Sequence, residues 1–321
     1  MTATAAVKPA ILQIGSLLPV LENWLDERYS VSRLDDAPDA KAFLAEQGGR
    51  FVGVATSALY GVSAEQIAAM PALKVISCFG VGVDKIDLPA ARARGIAVGN
   101  TPDILNDCVA DTAFALLLDI ARATPEADRY VRTGLWAERG QNSFHLGRRV
   151  SGGRLGIVGL GRIGKTIARR ALGFDMDIRY HTRRPVADAT WPHEPSLVEL
   201  ARWADFLVVI TAGGPGTLHL INAEVLDALG PRSFLINVSR GSVVDEPALV
   251  RALVERRIAG AGLDVFANEP FVPAELLALD NVVLLPHIAS ATEETRRAMA
   301  QRVIDNLDRF FADGTLITRV D

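Results

Sequence analysis

Three charged side chains in the C-terminal half of the chain could carry out chemistry together. Arg240, Glu269 and His287 each lie shortly after an apolar run of strand length. A guanidinium can bind a carboxylate through two hydrogen bonds and polarise an adjacent carbonyl. A histidine titrates near neutral pH, so it can deliver a proton to a carbonyl oxygen or accept one. A glutamate beside that histidine would hold its tautomer and favour its protonated form.

Each of these residues taken alone also has an ordinary structural explanation. Arg240 could be a charge that flanks a helix, Glu269 a turn residue before Pro270, and His287 a partly buried loop histidine. The sequence therefore favours a catalytic role only for the three residues together, at a place where the fold makes them converge.

A glycine-rich segment points to a nucleotide cofactor. After Val158 it consists of Gly159, Leu160, Gly161, Arg162, Ile163 and Gly164, which has the spacing G-x-G-x-x-G. The segment follows an apolar strand pattern and begins a helical one. Gly159 permits a tight turn, Gly161 lets the backbone approach a diphosphate, and Gly164 lets helix and strand pack closely. These features predict a dinucleotide whose phosphates lie at the N-terminus of the helix.

The residues after the next predicted strand indicate which dinucleotide is used. A carboxylate that accepts a hydrogen bond from the ribose 2′-hydroxyl is normally found about twenty residues after the glycines. Here that place is occupied by His181, Thr182, Arg183 and Arg184. A missing acid and two arginines predict a 2′-phosphate, and so NADPH. The alternative is a pair of solvated surface arginines, and the sequence does not rank Arg183 against Arg184.

The elements that must position these residues alternate between short apolar runs and helical periodicity, as in a parallel α/β fold. In the first part of the chain the predicted strands are Ala10–Ile14, Phe51–Ala55, Lys74–Ser77 and Ala97–Val98. The predicted helices there are Ser63–Ala69, Leu88–Arg94 and Asn106–Arg122. The polar stretch Arg139–Gly153 that follows is predicted to be a connector or a loop that contacts a partner.

A second alternation begins at Arg154. Its predicted strands are Leu155–Val158, Ile178–Tyr180, Phe206–Ile210, Phe234–Asn237, Ala261–Asp264 and Val282–Leu285, with a helix over Ile163–Leu172. Ligands bind beyond the carboxyl ends of parallel strands, which is where the three charged residues are predicted to converge. The last helix, Glu293–Phe311, has an apolar face that must pack on the first part of the chain. We therefore predict two Rossmann-like, doubly wound parallel-sheet domains. A dinucleotide-binding domain of residues 101–287 is inserted into a discontinuous substrate domain of residues 1–100 and 288–321.

Composition excludes several classes of protein. The chain has 321 residues, 49% of them apolar and 22% charged, and a net charge of −4 without charged blocks. This composition predicts no nucleic-acid partner and no membrane association. The N-terminal residues Met1–Ala10 predict a frayed tail rather than a secretory signal. The two cysteines, Cys78 and Cys108, form no cluster, which predicts no metal site and a cytoplasmic location.

The chain resembles the D-2-hydroxyacid dehydrogenases. The matching segments are Phe79–Asp84, Val158–Gly164, Asn237–Asp245, Gly262–Pro270 and Pro286–Ser290. The resemblance implies that Arg240, Glu269 and His287 are the catalytic residues, with His287 as the proton donor. It also implies that the backbone N–H groups of Val81 and Gly82 bind the substrate carboxylate. Val238, Asp264 and His287 are implied to contact the cofactor, Asp264 through the nicotinamide carboxamide.

Within that family the sequence is most similar to glyoxylate/hydroxypyruvate reductases and plant hydroxyphenylpyruvate reductases, on Phe79 and on Thr182–Arg184. The resemblance implies NADPH-preferring reduction of small 2-keto acids to D-2-hydroxy acids, and a homodimer. In such a dimer Phe144 or Trp136 could form an aromatic wall in the partner's active site, or both could be ordinary packing.

Two other functions remain open from the sequence. One is a reductase of aromatic 2-keto acids. The other is a dinucleotide-sensing binding protein of the same fold, since corepressors that resemble this family keep much of the triad. A formate- or phosphite-oxidising relative would be NAD-linked, and the missing acid after Tyr180 argues against it.

Overall fold

The computed structural model describes residues 8–320, so most of the predicted N-terminal tail lies outside the described residues. The chain divides into two compact units. The first comprises the chain up to Leu105 together with the segment from Ala291, and the second is Asn106–Ser290. These boundaries lie a few residues C-terminal to the predicted ones.

The first unit contains a five-stranded parallel sheet in the order β2-β1-β3-β4-β5. Its strands are β1 Ala10–Ile14, β2 Ser30–Arg33, β3 Gly53–Ser57, β4 Val75–Phe79 and β5 Ala97–Gly99. The helices between them are α1 Pro19–Arg28, α2 Ala40–Gln47, α3 Ala64–Ala69 and α4 Leu88–Ala93. Every residue of β3 and β4 is buried, as expected for central parallel strands. Because strands lie on both sides of β1, the sheet is doubly wound.

The second unit contains a six-stranded parallel sheet in the order β11-β10-β9-β8-β6-β7. Its helices are α5 Asn106–Arg122, α6 Thr124–Arg132, α7 Leu135–Arg139, α8 Arg162–Leu172, α9 Leu197–Trp203, α10 Ala223–Leu229, α11 Glu246–Val254 and α12 Ala274–Leu277. Its strands are β6 Arg154–Val158, β7 Asp177–His181, β8 Phe206–Val209, β9 Phe234–Asn237, β10 Gly260–Leu263 and β11 Val282–Leu284. The strand order reverses direction between β7 and β8, on either side of β6, which creates the crevice where such sheets bind ligands.

The last helix, α13 Glu293–Asp313, packs on the sheet of the first unit, where it contacts β4 and α1. Its buried apolar side chains are those of Met299, Ala300, Val303, Ile304 and Leu307. The helix begins at Thr292, whose hydroxyl accepts a hydrogen bond from the Thr295 N–H. The first unit is therefore built from two separate stretches of chain, and the second unit is inserted between them, as predicted.

The remaining differences from the predicted elements are local. Strand β2 has the sequence Ser-Val-Ser-Arg and lies at the edge of its sheet, so it carries no apolar run to reveal it. Helices α6 and α7 have no buried residue and show no core pattern. No helix in residues 8–320 has the length and apolar character needed to cross a membrane.

Candidate active site

The glycine-rich loop joins β6 to α8, and each of its three glycines has a different structural role. Gly159 has a φ of +103°, and a Cβ atom there would lie 2.9 Å from the backbone of Ile210 and Thr211. A Cβ atom on Gly164 would overlap the carbonyl of Gly159, so helix and strand pack closely there. The Cβ position of Gly161 has no atom within 4 Å. The loop thus leaves an open backbone at the N-terminus of a helix, which fits the diphosphate of a dinucleotide.

Other residues predicted to contact the cofactor differ in exposure. Arg162 is exposed on the first turn of α8, Ile163 is half-buried, and Leu160 is buried. Val238 is buried at the end of β9, where its N–H donates to the Val209 carbonyl at 3.2 Å. The contacts of these side chains with a cofactor stay predictions.

Hydrogen bonds fix the backbone of the loop after β7, and the arginine side chains of this loop are exposed to solvent. The Thr182 hydroxyl donates to the carbonyl of Arg184 at 2.6 Å, and Nε2 of His193 donates to the carbonyl of Thr182 at 2.9 Å. The side chains of Arg183 and Arg184 are exposed. Neither forms an ion pair with a carboxylate in residues 8–320. Among the described residues, these two arginines therefore lie beside β7 without a carboxylate that neutralises them. A 2′-phosphate would bind at this place.

Arg240 lies in a turn that the strand end itself shapes. The Asn237 side chain donates to the carbonyl of Arg240 at 3.1 Å and accepts from the N–H and the hydroxyl of Ser239. Gly241 packs so tightly against the backbone of Phe266 that a Cβ atom would overlap it. The turn that carries Arg240 is therefore fixed against the loop that leads to Glu269.

His287 and Glu269 form a hydrogen-bonded pair. Nδ1 of His287 lies 2.7 Å from Oε2 of Glu269, and both side chains are partly buried. An ionised carboxylate can only accept, so Nδ1 carries the proton and Nε2 is left for a substrate. Burial acts to raise the pKa of Glu269. The hydrogen bond and charge of His287, the Phe266 N–H and the charge of Arg240 outweigh it, and the pKa is lowered. Glu269 is thus a stable anion beside the imidazole.

The backbone around His287 is strained and held by Asp264. His287 has a φ of +55°, a region that residues other than glycine seldom adopt. Its N–H donates to the Asp264 carbonyl at 2.9 Å, and the Asp264 carboxylate accepts from the N–H groups of Ile288 at 2.7 Å and Ala289 at 2.9 Å. The carboxylate is fully buried, and this burial outweighs the hydrogen bonds and raises its pKa. Asp264 therefore positions His287, and its contact with a nicotinamide stays a prediction.

The loop predicted to bind the substrate carboxylate follows β4 in the first unit. The Gly80 N–H donates to the Thr101 hydroxyl at 3.1 Å, and the Asn100 side chain donates to the Val81 carbonyl at 2.8 Å. In residues 8–320 the N–H groups of Val81 and Gly82 donate to no other residue. Two neighbouring backbone N–H groups without an acceptor in the described residues suit an anion, so the loop is compatible with a carboxylate.

Several residues that shape this site were not predicted from the sequence to do so. Asn237 and Gly241 fix the Arg240 turn, and the Glu246 carboxylate accepts from the Ala267 N–H at 3.0 Å. An asparagine at a strand end and a glycine directly after Arg240 are signals of such a turn. The contact of Glu246 with a loop twenty-one residues away has no local signal.

Similar proteins share this arrangement of elements. Residues 114–289 match the model of the D-isomer specific 2-hydroxyacid dehydrogenase, NAD binding domain. The chain is 46% identical to hydroxyphenylpyruvate reductase of Plectranthus scutellarioides, over 97% of this chain and 98% of the relative. It is 43% identical to a glyoxylate/hydroxypyruvate reductase of Arabidopsis thaliana, again over 97% and 98%. An NADPH-dependent glyoxylate/hydroxypyruvate reductase from Sinorhizobium meliloti, solved with NADP and malonate, superposes with a TM-score of 0.91 at 44% identity. That match covers 98% of this chain and 97% of the other.

Proposed function

Because the chain belongs to the D-isomer specific 2-hydroxyacid dehydrogenase family, we propose that it reduces small 2-keto acids with NADPH. The substrates are glyoxylate and hydroxypyruvate, and the products are D-2-hydroxy acids. The observation that carries this proposal is the 2.7 Å contact between Nδ1 of His287 and Oε2 of Glu269. The positive charge of Arg240 acts on the same carboxylate and helps to lower its pKa. A hydrogen-bonded imidazole beside an anion and a guanidinium suits proton transfer to a carbonyl next to a carboxylate.

The roles of the chain's own residues follow from that geometry. Nε2 of the His287 imidazolium delivers a proton to the carbonyl oxygen, and Glu269 stabilises the charged ring before the transfer. Arg240 binds the carboxylate and polarises the carbonyl, and the N–H groups of Val81 and Gly82 donate hydrogen bonds to the carboxylate. NADPH, when bound, supplies the hydride that reduces the carbonyl carbon. One hydride and one proton convert the keto acid to the hydroxy acid.

The preference for NADPH rests on the loop after β7. Arg183 and Arg184 are exposed and unneutralised, and residues 180–184 contain no acid that would repel a 2′-phosphate. The Sinorhizobium meliloti reductase holds NADP. Charge-assisted hydrogen bonds of this kind are worth about 1.5–3 kcal/mol each, enough to set a cofactor preference of tenfold or more.

We also propose that the protein is a homodimer, joined through the second unit. Leu146 is 97% exposed in the polar loop after α7, and β11 is one of the two edge strands of its sheet. Trp136 is half-exposed, whereas Phe144 stacks on His145 at 4.4 Å within its own chain. Trp136 is therefore the better candidate for an aromatic wall in the partner's site. Light scattering after gel filtration tests the dimer, and a monomer at micromolar concentration would contradict it.

A cytoplasmic location is proposed from the cysteines. Cys78 and Cys108 form no disulfide in the part of the chain that the structure describes, as is usual in a reducing compartment. Fractionation of cells that express the protein, followed by immunoblotting, tests this location.

Steady-state turnover of glyoxylate and hydroxypyruvate, each with NADPH and with NADH, tests the proposed function. We expect turnover of both acids and a higher kcat/KM with NADPH. A protein that binds NADPH but turns over neither acid would instead be a dinucleotide sensor of the same fold. Chiral analysis of the product tests the D configuration.

A further inference from the structure

The chain beyond α13 pairs with the sheet of the first unit. Residues 317–320 (the C-terminal segment) lie antiparallel to β5, at the edge of that sheet. The Val320 N–H donates to the Val98 carbonyl at 2.8 Å, and the Asn100 N–H donates to the Thr318 carbonyl at 3.3 Å. The segment therefore covers a sheet edge whose backbone groups would otherwise lack partners.

A buried amide on α13 connects this segment to the end of β5. Asn306 is fully buried, and its Oδ1 accepts from the N–H groups of Ile317 at 3.0 Å and Thr318 at 3.1 Å. Its Nδ2 donates to the Thr318 hydroxyl at 3.0 Å and to the Asn100 carbonyl at 3.3 Å. The packing is close, since a Cβ atom on Gly99 would lie 2.9 Å from Nδ2. One side chain therefore fixes the helix, the C-terminal segment and the end of β5 against one another.

The end of β5 in turn holds the loop that is proposed to bind the substrate carboxylate. The Thr318 hydroxyl donates to the Asn100 carbonyl at 2.6 Å, and the Asn100 side chain donates to the Val81 carbonyl at 2.8 Å. The next residue, Thr101, is fully buried and forms two hydrogen bonds with Gly80. Its N–H donates to the Gly80 carbonyl at 2.9 Å, and its hydroxyl accepts from the Gly80 N–H at 3.1 Å. A continuous series of hydrogen bonds therefore runs from the C-terminal segment to the loop.

We propose that the C-terminal segment positions the carboxylate-binding loop, with Thr318 and Asn306 acting through Asn100. The proposal rests on the proposed function, which places the substrate carboxylate at the N–H groups of Val81 and Gly82. Two neighbouring N–H groups bind an anion well only while the backbone that carries them is held in one conformation. Thr318, Asn306 and Asn100 are thus positioning residues, and their hydrogen bonds contribute to the affinity for every 2-keto acid.

The test removes one hydroxyl from the C-terminal segment. Asn306→Ala would leave several buried groups without partners and destabilise the fold, so Thr318→Val, which keeps the branched shape, is the better variant. We expect KM for glyoxylate to rise about three- to tenfold, because the Asn100 carbonyl loses the shorter of its two side-chain hydrogen bonds. kcat should stay within about twofold, since the carboxylate is bound equally in the ground state and the transition state. Thr318→Ser, which restores the hydroxyl, should have the KM of the wild type.

Two further variants locate the effect. Asn100→Ala removes the direct hydrogen bond to the Val81 carbonyl and should raise KM by about tenfold. Thr315→Val is the matched control, because it removes a hydroxyl whose partners, Arg309 and Asp313, are exposed. It should change neither KM nor kcat. The affinity for NADPH, measured by fluorescence, should be unchanged in all variants, because the residues proposed to bind it lie in the second unit.

Several outcomes would overturn the positioning role of the C-terminal segment. They are an unchanged KM in Thr318→Val, a KM in Thr318→Ser as high as in Thr318→Val, and a loss confined to kcat. Failure of the proposed function looks different, since the wild type would then reduce no keto acid. In that case hydrogen exchange of the Gly80 and Thr101 N–H groups still tests the connection. Faster exchange in Thr318→Val than in the wild type supports it, and equal exchange overturns it.

Discussion

The two sheets present different chemistry at their carboxyl edges. In the second unit the edge carries charged side chains, Arg240, Glu269 and His287, that hydrogen bonds and close backbone packing hold in place. In the first unit it carries the backbone N–H groups of Val81 and Gly82, near the half-exposed side chains of Leu59 and Tyr60. Charged side chains that move protons need fixed geometry, whereas backbone N–H groups that bind an anion need only to be left without another acceptor.

This difference implies that substitution of the charged side chains in the second unit should lower the rate with every substrate, whereas the loop of the first unit should act through substrate binding.

Removal of the proton donor should have the largest effect. His287→Ala should lower kcat by two to four orders of magnitude, about the range for loss of a general acid. The loss should be the same for glyoxylate and phenylpyruvate, and NADPH binding measured by fluorescence should be nearly unchanged. A variant that keeps more than about a tenth of the wild-type kcat would contradict the role of His287. Thermal unfolding controls for loss of structure.

Substitution of the guanidinium should have the next largest effect. Arg240→Lys keeps the charge but loses the planar pair of donors, so kcat/KM should fall by roughly ten- to a hundredfold. Both KM and kcat should worsen, because the guanidinium is proposed to contact both carboxylate and carbonyl. Reduction of a neutral ketone by the wild type at the rate of glyoxylate would show that Arg240 does not anchor the substrate.

The cofactor loop should show an effect that depends on the dinucleotide. In the double variant Arg183→Ala/Arg184→Ala, kcat/KM with NADPH should fall at least about tenfold, because charge-assisted contacts with the 2′-phosphate are lost. Activity with NADH should stay roughly level. The matched control is Arg232→Ala, which removes an exposed arginine elsewhere in the second unit. Equal use of NADPH and NADH by the wild type would show that both arginines only face solvent.

The sequence predicted the strands and turns of the two units wherever the pattern that encodes them is local. The glycine spacing predicted the β6–α8 turn, and apolar runs predicted most strands of both sheets. Strand β2 was not predicted because an edge strand with polar residues has no apolar run. The contacts that position the site residues were not predicted for a different reason. The bonds from Ile288 and Ala289 to Asp264, and the bond from Asn306 to Asn100, join residues far apart in the chain, and no local pattern encodes them.

The smallest effect expected in the second unit is a change of pH dependence in Glu269→Gln. The lowered pKa of Glu269 keeps the carboxylate ionised at neutral pH, where it stabilises the imidazolium of His287. An amide in its place removes that stabilisation. In the reduction direction, which needs the imidazolium, kcat at pH 7–8 should therefore fall roughly three- to tenfold.

The Glu269 carboxylate also affects the stability of the fold, and this effect depends on pH. Because the pKa of Glu269 is lower in the folded protein, the ionised carboxylate stabilises the fold above its unfolded pKa of about 4.3. That contribution disappears as the pH falls through the lower, folded value. Glu269→Gln should thus unfold at a lower temperature than the wild type at neutral pH, with the difference shrinking in acid. Profiles of kcat from pH 5 to 9 and melting curves from pH 3 to 7 measure both effects. An unchanged kcat at pH 7–8 would mean that Glu269 does not stabilise the charged His287 ring.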